Sequence, residues 1–151
     1  VADRPDSVAQ EVDWVHGACF LVRREAWERV GLLDPGFHMY SEELDWQRRI
    51  KGAGWKVVFE PAARVVHYGG KSSGQVSLAT HLRFHASKYR YAERYHGWAA
   101  ASFLRWSILL MHVEQIWEEA AKLALGHKPE LRRTRLGFLA RVVAWHLGLP
   151  R

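Results

Sequence analysis

The chain of 151 residues has one cysteine, Cys19, two methionines and five prolines. A single thiol excludes a disulfide framework and any zinc site built from several cysteines. Long apolar runs are missing too. The most apolar stretch, residues 98–111, is 14 residues long and contains Arg105, whereas a membrane-spanning helix needs roughly 20 apolar residues. No basic-then-apolar leader stands at the start, and the opening Val1-Ala2-Asp3-Arg4-Pro5 reads as the interior of a longer protein. Acidic residues are scarce in the second half. Residues 81–151 carry 12 Lys/Arg against 5 Asp/Glu, whereas residues 1–80 carry 10 against 11, so the net charge of +6 comes from the second half. There is no internal repeat and no low-complexity tract.

The chain is rich in apolar and aromatic material. Its 48% hydrophobic and 13% aromatic residues can bury a core and exclude wholesale disorder, and the length suits one ordinary domain. Residues 1–11 are polar and read as an irregular lead-in. Val12 to Val22 is apolar with one glycine, which predicts a buried strand, firmest over Ala18–Val22. Arg24–Val30 predicts a short helix stopped by Gly31. Asp34-Pro35-Gly36 is turn chemistry. Ser41–Ala53 begins acidic and ends basic, which complements a helix dipole. Trp55–Phe59 predicts a strand ended by Pro61, Arg64–His67 a further one, and Tyr68–Gly74 a loop. Three helices follow over 77–95, 98–125 and 130–147, punctuated by Gly97, Gly126 and Pro129.

Trp106, Leu109, Leu110, Val113, Ile116, Trp117, Ala120, Ala121 and Ala124 recur at helical spacing. The stripe predicts packing on neighbouring helices, with a membrane surface or a membrane-bound partner as the alternative. The last helix suits that alternative, since it combines Arg132, Arg133, Arg135 and Arg141 with Leu136, Phe138, Leu139, Val142, Val143 and Trp145. The basic excess is either a solubilising face or the footprint of an anionic partner. Nucleic acid is not the expected partner, because Trp106 and Trp117 belong to the apolar stripe and not to an exposed stacking platform.

Three local features carry candidate chemistry. Met39-Tyr40-Ser41-Glu42-Glu43-Leu44-Asp45-Trp46 sets three carboxylates beside two aromatics. Carboxylates at a helix start serve the dipole, or one of them projects into a cleft as a general base able to take a proton from a sugar hydroxyl. Glu42 and Asp45 share a helix face and Glu43 points elsewhere. His67-Tyr68-Gly69-Gly70-Lys71-Ser72-Ser73 pairs an imidazole able to bind a divalent metal with a glycine-rich loop able to offer N–H groups to phosphate. It is not a Walker A motif, since the Lys-Ser pair lacks the upstream glycine. Trp14-Val15-His16-Gly17-Ala18-Cys19 can floor a sugar site, although core packing is the plainer account of Trp14. His81 and His85 stand at i, i+4 like metal ligands, but no glutamate accompanies them and no third ligand is evident, so their spacing reads as coincidence.

In order, these pieces resemble the second half of the catalytic domain of family 2 glycosyltransferases, especially bacterial rhamnosyltransferase-like members. The matching segments run from Trp14-Val15-His16-Gly17-Ala18 through Leu21-Val22-Arg23-Arg24-Glu25-Ala26 and Val30-Gly31-Leu32-Leu33-Asp34. They continue with Phe37-His38-Met39-Tyr40-Ser41-Glu42-Glu43-Leu44-Asp45-Trp46, Gly54-Trp55-Lys56-Val57-Val58 and Val65-Val66-His67-Tyr68-Gly69-Gly70-Lys71-Ser72-Ser73. The resemblance implies an α/β chain. Residues 1–76 would hold the C-terminal half of a GT-A fold, lacking its N-terminal nucleotide-binding half and the Asp-x-Asp motif, and residues 77–151 a basic amphipathic helical extension.

The resemblance also implies roles. The family's acidic motif falls on Glu42, Glu43 and Asp45, which puts the general base on Glu43 (where the family usually has Asp) with Glu42 as the second candidate. Trp14, His16, Gly17, Tyr40 and Asp45 would contact acceptor or substrate. His67 would help hold a divalent metal, Mg2+ or Mn2+, and Gly69, Gly70, Lys71 and Ser72 would line the diphosphate. The expected activity of the whole protein is inverting transfer of a sugar, rhamnose among the candidates, from a nucleotide-diphosphate donor to a cell-surface polysaccharide or lipid-linked acceptor. It would work in the cytoplasm, peripheral to the inner face of the plasma membrane, and the isolated chain would turn over nothing. The rival is a non-catalytic scaffold derived from such an enzyme.

Overall fold

The computed structural model describes residues 7–37, 39–68 and 78–148. In chain order the elements are β1 (Gln10–Glu11), α1 (Arg24–Val30), α2 (Glu42–Gly52), β2 (Val58–Phe59), α3 (Leu78–Ala124) and α4 (Pro129–Leu147). The chain divides into two compact units, Val1–Gly74 and Gln75–Arg151. The described residues are thus mostly helical, with one two-stranded antiparallel sheet in which Gln10 faces Phe59 and Glu11 faces Val58.

In the first unit, α1 and α2 form where dipole-matched charge predicts them. Glu25 opens α1 and Arg29 closes it; Glu42, Glu43 and Asp45 open α2 and Arg49 and Lys51 close it. Each helix buries one face: Ala26 from α1, and Asp45, Trp46, Gln47 and Ile50 from α2. Polar side chains of α2 hold the connections. The Trp46 indole N–H donates to the Gly31 carbonyl at 2.8 Å, and Arg49 donates to the carbonyls of Val30 and Leu32 at 2.5 and 2.7 Å.

The strand expectations need correction. Residues 12–22 form no strand, and Leu21 is fully exposed. Their apolar composition suits a central strand, but a strand persists only when neighbours pair with it. The sheet ladder here ends at the bond from Val12 N to the Val57 carbonyl, 2.9 Å. Of Trp55–Phe59 only Val58 and Phe59 pair, and Arg64–His67 is irregular.

In the second unit, α4 packs along α3, touching it both before and after Gly97. Within α3 the helix breaks at Gly97, whose φ of 82° and ψ of 171° lie where only glycine sits without strain. Residues 78–96 and 98–124 are therefore two arms, at the boundary the sequence predicts. Pro129 occupies the first turn of α4, where its missing N–H leaves no intrahelical bond unmade. A buried ion pair ties the two helices. Arg132 donates to both oxygens of Glu119 at 3.0 and 2.8 Å, and Arg135 adds a third contact at 3.2 Å.

The apolar stripe of α3 is not wholly a packing face. Of its members Leu109 is buried, but Trp106, Leu110 and Trp117 are exposed, Trp117 by 71%; of the residues beside it Ile108 is buried and Phe103 exposed. The residues turned inward instead include the polar His85, His112, Glu119, Arg132 and His146. Among the described residues no helix is long and apolar enough to cross a membrane.

Candidate active site and a histidine cluster

The entry into α2 is conformationally strained. Tyr40 and Ser41 both adopt left-handed backbone, with φ of 71° and 66°, a region uncommon for residues other than glycine, asparagine and aspartate. The first turn of the helix they open carries Glu42 and Glu43 and brings Glu43 against Gly17. Each glutamate has one buried oxygen, Oε2, with no hydrogen-bond partner among the described residues. A buried unpaired carboxylate oxygen is energetically unfavourable.

Gln47, one turn further along, holds the facing segment. Its side-chain oxygen accepts from Val15 N at 2.7 Å, and its amide donates to the carbonyls of Val15 (2.8 Å) and Glu43 (3.0 Å). The clamp seats Gly17 directly on Glu43. A Cβ at position 17 would stand 3.4 Å from Glu43 Cγ and 3.5 Å from Glu43 Cβ, so any larger side chain would push the carboxylate aside. His16, the neighbour of Gly17, faces His67 with ring centroids 6.0 Å apart. Its Nδ1 accepts from Ala18 N at 3.2 Å, which leaves Nε2 as the protonated nitrogen of the neutral ring. Glu43, Gly17, His16 and His67 thus follow one another across one neighbourhood.

Asp45 and Trp14, both expected to contact acceptor or substrate, are placed very differently. Asp45 is fully buried and receives the Arg49 guanidinium at 2.9 Å. The i, i+4 spacing that pairs it with Arg49 along one helix face turns it away from solvent and into the α1–α2 corner. Trp14, for which core packing is the plainer sequence reading, is 47% exposed. Gly69, Gly70, Lys71 and Ser72 lie outside the described residues.

The helical unit contains a constellation that sequence reasoning dismissed. His81 and His85 do have a third partner, His112, from the opposite arm of α3. His81 Nε2 lies 3.2 Å from His112 Nε2 and 3.0 Å from His85 Nε2. His146 of α4 packs against His85 and His112, with centroids 5.3 and 5.6 Å apart, and its Nδ1 meets the Tyr89 hydroxyl at 3.1 Å. Arg105 donates to the His146 carbonyl, capping the end of α4. Burial holds the imidazoles of His81, His85 and His146 below the ordinary histidine value, helped by the neighbouring histidines, His85 to about 3 and His146 to about 4. Burial likewise pushes the Tyr89 hydroxyl up to about 12. The missed signal is that His112 interrupts the apolar stripe at a core position between Leu109 and Ile116. Pairing it with residues 81 and 85 requires knowing that the chain reverses at Gly97.

Residues 7–85 match the family model described as "Glycosyltransferase like family 2". Over 108 residues the chain is 39% identical to the N-acetylglucosaminyl-diphospho-decaprenol L-rhamnosyltransferase of Mycobacterium tuberculosis (strain ATCC 25618 / H37Rv), a match covering 70% of this chain and 34% of the relative. Over 86 residues it is 34% identical to the rhamnosyltransferase WbbL of Escherichia coli (strain K12), covering 55% of this chain and 31% of the relative. The chain spans about a third of the length of these curated relatives. No solved structure matches it.

Proposed function

The chain belongs to glycosyltransferase-like family 2, and from that premise we propose that it is the acceptor-side part of an inverting transferase that moves L-rhamnose from a nucleoside-diphosphate donor to a lipid-linked saccharide. The nature of sugar and acceptor is suggested by the names of the relatives. The observation that carries the reading is the seat of Glu43: a carboxylate with an unpartnered buried oxygen, pressed against Gly17 and held there by the Gln47 clamp. The strained backbone at Tyr40 and Ser41 supports it, since such strain gathers where geometry serves chemistry.

In this reading the Glu43 carboxylate takes the proton of an acceptor hydroxyl. The freed oxygen attacks the anomeric carbon as the bond to the nucleoside diphosphate breaks, and the diphosphate leaves with that electron pair. Glu42 is the reserve base. Trp14, exposed beside the Gln47 clamp, offers an aromatic face to the acceptor sugar, and His16, Gly17 and Tyr40 complete that wall. Asp45 acts as a positioning residue through Arg49. A divalent metal, Mg2+ or Mn2+, supplies charge neutralisation on the diphosphate when bound. The exposed His67 imidazole is the described residue that would hold it, with oxygens coming chiefly from substrate phosphates, as Mg2+ sites commonly arrange. Gly69, Gly70, Lys71 and Ser72 would line the same diphosphate. The donor platform would be the missing half of a GT-A fold.

Membrane association is part of the proposal. The exposed Phe103, Trp106, Leu110 and Trp117 lie on the unit that carries the basic excess, the pairing that favours an anionic lipid surface. It would hold the enzyme at the inner face of the plasma membrane, where a lipid-linked acceptor is reached. Recovery of the chain with anionic vesicles at low salt and its release at high salt are expected; no recovery overturns this part. For the catalytic reading, Glu43→Gln in the longer protein containing this chain is expected to reduce transfer a hundredfold or more with donor binding retained. An unchanged rate overturns it in favour of a scaffold.

A further inference from the structure

We propose that His81, His85 and His112 hold a divalent transition metal of the zinc class through their Nε2 atoms, forming a site that staples the two arms of α3. This site lies in the helical unit and is independent of the transferase reading of residues 7–68.

The first argument is geometric. Zinc–imidazole bonds of about 2.0–2.1 Å at a tetrahedral angle set neighbouring nitrogens about 3.3–3.4 Å apart. The two close pairs here stand at 3.2 and 3.0 Å, and the candidate ligand atoms of all three residues lie within 4.8 Å of one another. A shared centre would draw the remaining pair to the same spacing by rotation of the rings.

The second argument is proton arithmetic. An imidazole nitrogen presents one direction in the ring plane, occupied by a proton or by a lone pair. His81 Nε2 has two Nε2 neighbours, so a proton shared along one contact leaves the other unsatisfied. A cation at the meeting point accepts a lone pair from each nitrogen together.

The third argument is orientation. His112 Nδ1 donates to the Ile108 carbonyl at 2.7 Å. A carbonyl only accepts, so this bond places the proton on Nδ1 and turns Nε2 toward the cluster, the outer-shell arrangement by which metal-ligating histidines are fixed. His112 is 2% exposed. His81 is only partly buried, and gives an ion a route in from solvent.

The donor set decides the metal class. Three imidazoles and no carboxylate favour zinc, copper, nickel or iron over Mg2+ and Ca2+, which prefer oxygen. The site is therefore chemically distinct from a metal bridging a sugar-nucleotide diphosphate. His146 is fully packed beside the cluster, and its buried Nε2 has no partner among the described residues. Three protein ligands would leave a fourth coordination position to water.

The test uses the full 151-residue chain, stripped with a chelator and titrated with zinc chloride, with magnesium chloride as the comparison. One zinc per chain is expected by elemental analysis after dialysis, and cobalt in its place is expected to give the intense visible bands of a tetrahedral site. Zinc at a hundredfold excess over Kd is expected to raise the melting temperature by roughly 5–10 °C, and magnesium is expected not to. His81→Ala, at a partly exposed position, is expected to abolish uptake with its circular dichroism unchanged; His112→Gln is expected to do the same, and His96→Ala to retain the ion. Absence of bound zinc in the parent chain, full uptake by folded His81→Ala, or an equal thermal shift with magnesium overturns the proposal.

Discussion

Gln47 grips residue Val15 at both ends of its peptide. The side-chain oxygen accepts from Val15 N at 2.7 Å while the side-chain nitrogen donates to the Val15 carbonyl at 2.8 Å. Those bonds stand in for the ladder that a strand at residues 12–22 would have made, and they fix the distance between Gly17 and Glu43. Gln47→Leu removes donor and acceptor together and strands the Val15 backbone groups. It is expected to destabilise the first unit by about 2–3 kcal/mol, measured by denaturant unfolding. Gln47→Glu keeps an acceptor for Val15 N but turns a carboxylate toward two carbonyl oxygens, so its loss is expected to be larger at neutral than at acidic pH.

Position 17 tests whether closeness to Glu43 matters. Alanine there meets Glu43 Cγ at 3.4 Å, an ordinary contact, and Gly17→Ala is expected to keep both stability and transfer. Gly17→Val adds two methyls against the carboxylate and is expected to lower kcat tenfold or more, since small displacements of a reacting group are expensive. Kinetics of the longer protein decide it; equal rates for Gly17→Val and the parent contradict the assignment of Glu43.

Asp45 separates a positioning part from a substrate contact. Asp45→Ala leaves Arg49 without its buried carboxylate and is expected to destabilise by roughly 3 kcal/mol. Asp45→Asn keeps a hydrogen-bond acceptor for Arg49 and is expected to recover much of that loss. A substrate contact would instead show as a raised KM with stability unchanged.

The Glu119 carboxyl is held below its ordinary value of 4.5, first by the hydrogen bond from Arg132 and further by that from Arg135, against the opposing effect of its burial. A carboxyl lowered in the folded state contributes stability that is complete above the unfolded value and disappears as pH falls through the folded one. The melting temperature of Glu119→Gln is therefore expected to lie below that of the parent at neutral pH, with the difference shrinking below about pH 4.5. A difference constant across the acid range contradicts the ion pair as its source.

Local chemistry was legible in the sequence, and so were the pieces that depend on it. The acidic-to-basic run at 41–53, the helix stop at Gly31 and the break at Gly97 are decided within a few residues, by dipole charge and by backbone angles open to glycine. Ordered segments such as His16-Gly17-Ala18 and Glu42-Glu43-Leu44-Asp45-Trp46 carried the family likeness for the same reason. What lies between distant residues was not legible. Apolar composition at 12–22 reads as strand whether or not neighbours exist to pair with it. An i, i+4 histidine pair cannot reveal a third imidazole that arrives only when the helix folds back on itself. The partner of each side chain is set by tertiary contact: Asp45 took Arg49, His81 took His112, and the indoles of Trp106 and Trp117 were left facing outward while His85, His112, Glu119, Arg132 and His146 took inward positions.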